Sequence, residues 1–141
     1  MFCQLVVLDL HQHLKLNTMK DAINWFEIPA KDFGRAKKFY ETITGKTIEE
    51  MPFEQGQYGV FQYDREKQGV GGGLVQMDGI NPSADGVTIY LPAGEDLSDQ
   101  LAKIEPAGGQ VIMPKTSIGE NGFFALFLDT EGNKLALHSM N

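Results

Sequence analysis

An internal duplication constrains this chain more than any other feature. Asn24-Trp25-Phe26-Glu27-Ile28-Pro29 reads as a short strand ending in proline, and Val87-Thr88-Ile89-Tyr90-Leu91-Pro92 reads as a second one. Each is followed within a few residues by an acidic cap and an amphipathic stretch. Asp32 precedes Phe33, Ala36, Tyr40 and Ile43, an apolar face at helical spacing, and Asp96 precedes Leu97, Leu101 and Ile104. Glycine supplies a left-handed stop for the first helix at Gly45 and for the second at Gly108-Gly109.

Three strand-like runs follow each helix. Residues 47–53, 58–64 and 70–77 in the first half match 110–114 (or to 116), 123–129 and 134–140 in the second. The middle runs both end in aspartate and enter a polar turn, at Asp64-Arg65-Glu66-Lys67 and Asp129-Thr130-Glu131-Gly132. The order β-α-β-β-β is thus written twice, as modules 24–78 and 86–140 joined by a turn-rich link containing Gly79, Asn81-Pro82 and Gly86. Neither half carries enough apolar surface for a good core alone. The expectation is one α+β domain, with the two modules forming a cupped mixed sheet around a pocket and the helices outside.

Length supports this. A chain of 141 residues suits one domain that buries roughly two-thirds of its unfolded surface. A formal net charge of −7 repels phosphate backbones, which argues against a nucleic-acid partner. No apolar run reaches the roughly 20 residues needed to span a bilayer. The lone Cys3 permits no internal disulfide, which favours a reducing, cytoplasmic setting.

Residues 1–18 differ from the rest. They lack a basic start and a clear small-residue cleavage site, so a signal peptide fits poorly. Leu8, Leu10, Leu14 and Leu16 alternate as in a half-buried strand. Three readings stay open: an extra edge strand or dimer arm, an upstream extension with a natural start near Met19-Lys20-Asp21, or a disordered tail. His11 and His13 share one face of that strand, where solvation is favoured over metal chelation, and Cys3 has no evident base beside it.

From residue 19 onward the chain resembles a known family. Trp25-Phe26-Glu27-Ile28-Pro29, Asp32 and Arg35-Ala36-Lys37-Lys38-Phe39-Tyr40 resemble the first strand and helix of glyoxalase/bleomycin-resistance proteins, of the vicinal-oxygen-chelate superfamily. Residues 119–129 and the run Glu131-Gly132-Asn133-Lys134-Leu135-Ala136-Leu137-His138-Ser139 resemble their last two strands. The likeness is strongest to the bacterial branch related to lactoylglutathione lyase. It implies a pocket within a cupped sheet and, commonly, a homodimer. In metal-dependent members, inward positions on the first and last strand of each unit supply His or Glu to a divalent ion. Here those positions fall on Trp25, the Gly71-Gly72-Gly73 stretch, Thr88 and Ala136, which is not a competent ligand set. No metal or other cofactor is therefore expected.

Period-two facing leaves Trp25 and Glu27 toward the pocket while Phe26 and Ile28 meet the helix. Thr88 and Tyr90 face inward by the same reasoning, and Ala136 and His138 share a face. Glu27 and His138 are the candidate catalytic groups, as acid and base. Trp25, Tyr58, Tyr63, Thr88, Tyr90 and Phe127 are the candidate ligand-binding residues, with Gln76 a further polar candidate and Phe124 and Phe127 pointing to opposite faces. Gly69-Val70-Gly71-Gly72-Gly73 has no phosphate-binding lysine and precedes a strand, so it reads as a place of close backbone approach or a bulge. The leading expectation is a binding protein for an aromatic or otherwise planar small molecule. A metal-independent lyase or isomerase using Glu27 and His138 is the first alternative, and a dimeric interaction module the second.

Overall fold

The computed structural model describes residues 21–141, so the readings of residues 1–18, Cys3, His11 and His13 included, lie outside the described residues. The first module runs β1 (Trp25–Pro29), α1 (Phe33–Thr44), β2 (Ile48–Met51), β3 (Gly56–Phe61) and β4 (Gly71–Met77). The second runs β5 (Ile89–Pro92), α2 (Ser98–Ile104), β6 (Gln110–Ser117), β7 (Phe123–Leu128) and β8 (Lys134–Ser139). The strand orders are β1-β4-β3-β2 and β5-β8-β7-β6. In each, the first strand is parallel to the last and the remaining pairs are antiparallel. The duplicated β-α-β-β-β unit of the sequence is the architecture of the molecule. Its strands form two four-stranded sheets and not one hydrogen-bonded surface, because β1 and β5 end their sheets without pairing to each other.

Side chains join the modules instead. Ile28, Phe33, Phe39, Tyr40, Ile43 and Leu74 from the first share one core with Leu91, Leu97, Phe127, Leu135 and Leu137 from the second. Phe39 on α1 packs against Phe127 on β7, ring centroids 6.1 Å apart. Tyr40, one residue on, packs edge-on to Phe61 of β3 at 5.6 Å. One helix face thus reaches into both sheets.

The helix ends explain themselves chemically. Asp32 Oδ1 accepts from the Arg35 amide at 3.1 Å, and Gly45 closes α1 at φ 70°. Three further amides at the start are met from elsewhere. Gln76 Oε1 on β4 accepts from the Phe33 amide at 2.7 Å, and Glu131 of the second module accepts from the Lys31 and Asp32 amides. Gln76 therefore acts as a helix cap through its side-chain oxygen. Regular α2 ends at Ile104, before the expected glycines. Pro106 has no amide proton to continue the ladder, and a turn carries the chain on to Gly108 at φ 104°.

The turn between β7 and β8 locks the modules together. Asp129, Glu131 and Asn133 are all buried. The Asp129 carboxylate accepts from the Tyr40 hydroxyl at 2.6 Å, from the Glu131 and Asn133 amides, and from the Asn133 side chain. Asn133 also donates to the Pro29 carbonyl at 2.7 Å, and Arg35 meets the Glu131 carboxylate through two nitrogens at 2.8 and 3.0 Å. Burial, and then the Asp129 charge, hold the Tyr40 phenol well above its usual range. Burial alone would raise Glu131, but the Arg35 guanidinium and the hydrogen bonds it accepts outweigh that and hold it below the usual carboxylate range.

Candidate functional site

Alternation along each strand gives each sheet one face toward the shared core and one open face. On the first sheet, Phe26, Ile28, Gly59, Phe61 and Leu74 turn to the core, and Trp25, Glu27, Tyr58, Val60 and Val75 turn away from it. The facing inferred for Trp25 and Glu27 is the facing observed. Trp25 is half-buried and Glu27 exposed.

The glycines of β4 shape this open face. Gly71 and Gly73 pair in register with Trp25 and Glu27. A Cβ on Gly71 would stand 2.4 Å from the Tyr63 ring, and one on Gly73 would stand 2.3 Å from the Tyr58 hydroxyl. Two tyrosine side chains therefore rest against bare backbone, where any side chain would hold them off. Gly72 does the same on the opposite face, where a Cβ would stand 2.3 Å from the Phe26 ring. The triple glycine is thus neither a bulge nor a close approach of another backbone: β4 keeps its register with β1 and β3 through it, and aromatic side chains are what approach it.

The side chains above this floor form a connected set. Trp25 Nε1 donates to the Tyr58 hydroxyl oxygen at 2.9 Å. Trp25 also meets the Tyr63 ring edge-on at 6.0 Å, while Phe53 backs Tyr58 at 5.5 Å. Tyr58 is held above the ordinary phenol range by partial burial and then by the Glu27 carboxylate; the indole donor acts in the opposite sense. Tyr63 further lines a hollow of about 610 Å³ with Glu49, Met51, Val60 and Arg65. On its other side, Glu27 borders a cleft of about 200 Å³ that reaches the second module at Ile89, Asn133 and Lys134.

The remaining candidates lie elsewhere. Tyr90 is on the open face of the second sheet, 54% exposed, with its ring 6.4 Å from Phe124. Thr88 is half-buried just ahead of β5, outside the strand. His138 pairs with Phe124 in register, and its Nε2 lies 2.7 Å from the Asn121 carbonyl oxygen. Glu27 and His138 thus stand on different sheets with different partners, and the acid/base pairing expected of them is not formed. Phe127 is a correction. It is fully buried in the shared core against Phe39, so it cannot line an open face; the strand period gives that place to Phe124.

Sequence reasoning missed Phe53 and Arg65 at the first-sheet site. It also missed the buried roles of Asp129, Glu131 and Asn133. The available signal for the site was the Gly71/Gly73 spacing, two apart on a strand, which marks one face stripped of side chains. Among the described residues, no three His, Cys, Asp or Glu side chains form a group that could hold a metal ion. No described helix is long and apolar enough to cross a membrane.

This fold, two β-α-β-β-β units back to back in one core, defines a class. Residues 22–137 match the Glyoxalase/Bleomycin resistance protein/Dioxygenase superfamily, and the chain belongs to it. Among curated proteins it is similar to a putative glyoxylase, CFP32, of Mycobacterium tuberculosis, 26% identical over 133 residues. That match covers 84% of this chain and 45% of the relative, so the chain spans less than half the length of the curated relatives it matches. Among solved structures, a hypothetical protein, SA1046, of S. aureus superposes with a TM-score of 0.66 at 19% identity, covering 89% of this chain and 98% of that one. Glyoxalase I of Zea mays gives 0.67 at 19% identity, over 82% of this chain and 44% of that one. A glyoxalase/bleomycin resistance protein of a Streptomyces species gives 0.64 at 24%, over 83% and 100%. At these identities the likeness is one of fold.

Proposed function

We propose that the protein binds a small planar molecule on the open face of its first sheet, without the divalent-metal site used by metal-dependent members of the superfamily. The observation that carries this reading is the ring set laid on glycine backbone: Trp25, Tyr58 and Tyr63 over Gly71 and Gly73. Aromatic walls with a few fixed polar groups are the usual make-up of a small-molecule site. The donor chemistry supports the second half of the proposal. Trp25 offers only an N–H, already given to Tyr58; Gly71 and Gly73 have no room for a side chain; and Ala136 has no polar side-chain atom. Homodimerisation belongs to the same reading, because Val87 and Tyr90 stand 90% and 54% exposed beside the second sheet and a second copy would cover them.

A thermal-shift screen of planar compounds, with recovery of each hit afterwards, tests the binding claim. Stabilisation with the compound returned unchanged is expected; consumption that disappears in Glu27→Gln would establish an enzyme instead. Elemental analysis of the purified protein tests the metal claim, and a stoichiometric divalent ion would refute it. Light scattering across a concentration series tests the dimer.

A further inference from the structure

We infer that the ligand of the first sheet's open face is an organic cation, its positive charge held between the Glu27 carboxylate and the faces of the neighbouring aromatic rings. The inference rests on the binding proposal above and narrows it to one chemical class. Its first support is the direction of the hydrogen bonds. Trp25 donates to the Tyr58 hydroxyl oxygen, so the indole N–H is spent within the protein. The Glu27 carboxylate stands on the same open face, two residues along β1 from Trp25, as an acceptor. Glu27 is exposed and keeps lone pairs that only a donor can fill.

The second support is charge. The ion pairs among the described residues are Arg35–Glu131, Lys37–Glu41, Lys67–Asp64 and Lys115–Asp96, so Glu27 has no cationic partner among them. Lys134 borders the cleft on the far side of Glu27 without forming such a pair. Glu49 adds a second carboxylate at the hollow beside Tyr63. The chain as a whole carries −7, a field that draws cations and repels anions.

The third support is that the rings already hold a cation. The Arg65 guanidinium sits 5.4 Å from the Tyr63 ring centroid, within the range where the ring quadrupole attracts positive charge. Arg65 is exposed and belongs to none of the ion pairs, so a ligand cation would meet little resistance in replacing it. A planar anion at the hollow would face Glu49, with Glu27 on the same open face.

Benzamidine, benzamide and benzoate provide the test, being planar, nearly isosteric, and positive, neutral and negative in turn. Trp25 is the one tryptophan of the chain, so its fluorescence reports on the site directly, and calorimetry supplies an independent readout. Benzamidine is expected to bind at least tenfold more tightly than benzamide, with benzoate weakest. Glu27→Gln should erase the preference for charge, and Tyr63→Leu should weaken benzamidine more than benzamide. Equal binding of all three, or a preference for benzoate, overturns the cation inference and leaves the planar-ligand proposal standing. No binding of any of the three also overturns it, and the wider proposal is then judged by its own compound screen. Unchanged circular dichroism of both variants ensures that a loss is read as chemistry at the site.

Discussion

The two sheets are built on one plan and differ in their chemistry where they face outward. Counted back from the prolines that close β1 and β5, the pair Glu27–Gly73 in the first corresponds to Tyr90–Ala136 in the second. Toward the core the two modules are nearly interchangeable: Ile28 and Leu74 in one, Leu91 and Leu137 in the other. On the open side they part. The first sheet has bare backbone under tyrosine rings and a carboxylate beside them; the second has a buried alanine methyl, an exposed tyrosine, Phe124 and a histidine tied to a carbonyl. A shared core restricts what the inner face can carry, because packing there tolerates little change of volume. The open face has no such restriction, so chemistry can concentrate in one copy of a repeat.

The comparison presumes that both sheets are held in one body, and Asp129 is where that breaks most severely. Asp129→Ala leaves the Tyr40 hydroxyl and the Glu131 and Asn133 amides without their acceptor in a buried place. A loss of about 3 kcal/mol or more is expected in urea denaturation, against about 1–2 kcal/mol for Tyr40→Phe, which removes one bond and leaves Asp129 its other partners. A loss below about 1 kcal/mol for Asp129→Ala would show that the apolar core alone joins the modules.

Gly73→Ala and Ala136→Gly exchange the two sheets' floors. The added methyl must displace the Tyr58 hydroxyl, parting it from Trp25, at a cost of about 1–2 kcal/mol. Planar-ligand affinity should fall tenfold or more, with a changed Trp25 emission. Ala136→Gly removes a buried methyl and adds backbone freedom for about 1 kcal/mol, with binding untouched. Equal effects on binding would mean that the glycine floor is not what distinguishes the sheets.

The sequence displayed the plan more fully than the site. Strand-ending prolines, Gly45 and the paired aspartates are local signals, and they located elements to within a few residues. Facing followed from period two wherever a strand stayed regular, as with Trp25, Glu27 and Tyr90. Phe127 went astray because β7 is apolar on both faces, and alternation then shows only that Phe124 and Phe127 oppose each other. Asp129 and Glu131 read as polar turn residues, since a turn gives no sign that another module's helix will close over it. The separation of Glu27 from His138 was equally hidden: it depends on how the sheets pack, which no local spacing encodes.

Arg35 and Glu131 give the seam between the sheets a pH dependence. Glu131 titrates below the usual carboxylate range in the folded protein, so the stability it contributes is present above its unfolded value and is lost as pH falls through the folded one. Thermal midpoints should therefore change little from neutrality down to about pH 4, the ordinary carboxylate range, and drop below it. In Arg35→Met the guanidinium no longer opposes the effect of burial, Glu131 rises, and the acid drop should begin at higher pH. An unshifted drop would place acid sensitivity in other carboxylates.

His138 should matter least, and for that reason it tests the comparison most directly. Its contact is one hydrogen bond between Nε2 and the Asn121 carbonyl, at the rim of the second sheet. His138→Ala should lower stability by less than about 1 kcal/mol and leave ligand binding at the first sheet unchanged. Glu27→Gln, on the other sheet, should alter binding with little effect on stability, because Glu27 is exposed. If His138→Ala instead weakens ligand binding as much as Glu27→Gln does, the two open faces act on one ligand. Within a single chain they stand on separate sheets, so that result would require a second copy to bring its second sheet over the first sheet of its partner. Repeating both titrations across the protein concentrations used for light scattering would then decide whether the coupling follows the dimer.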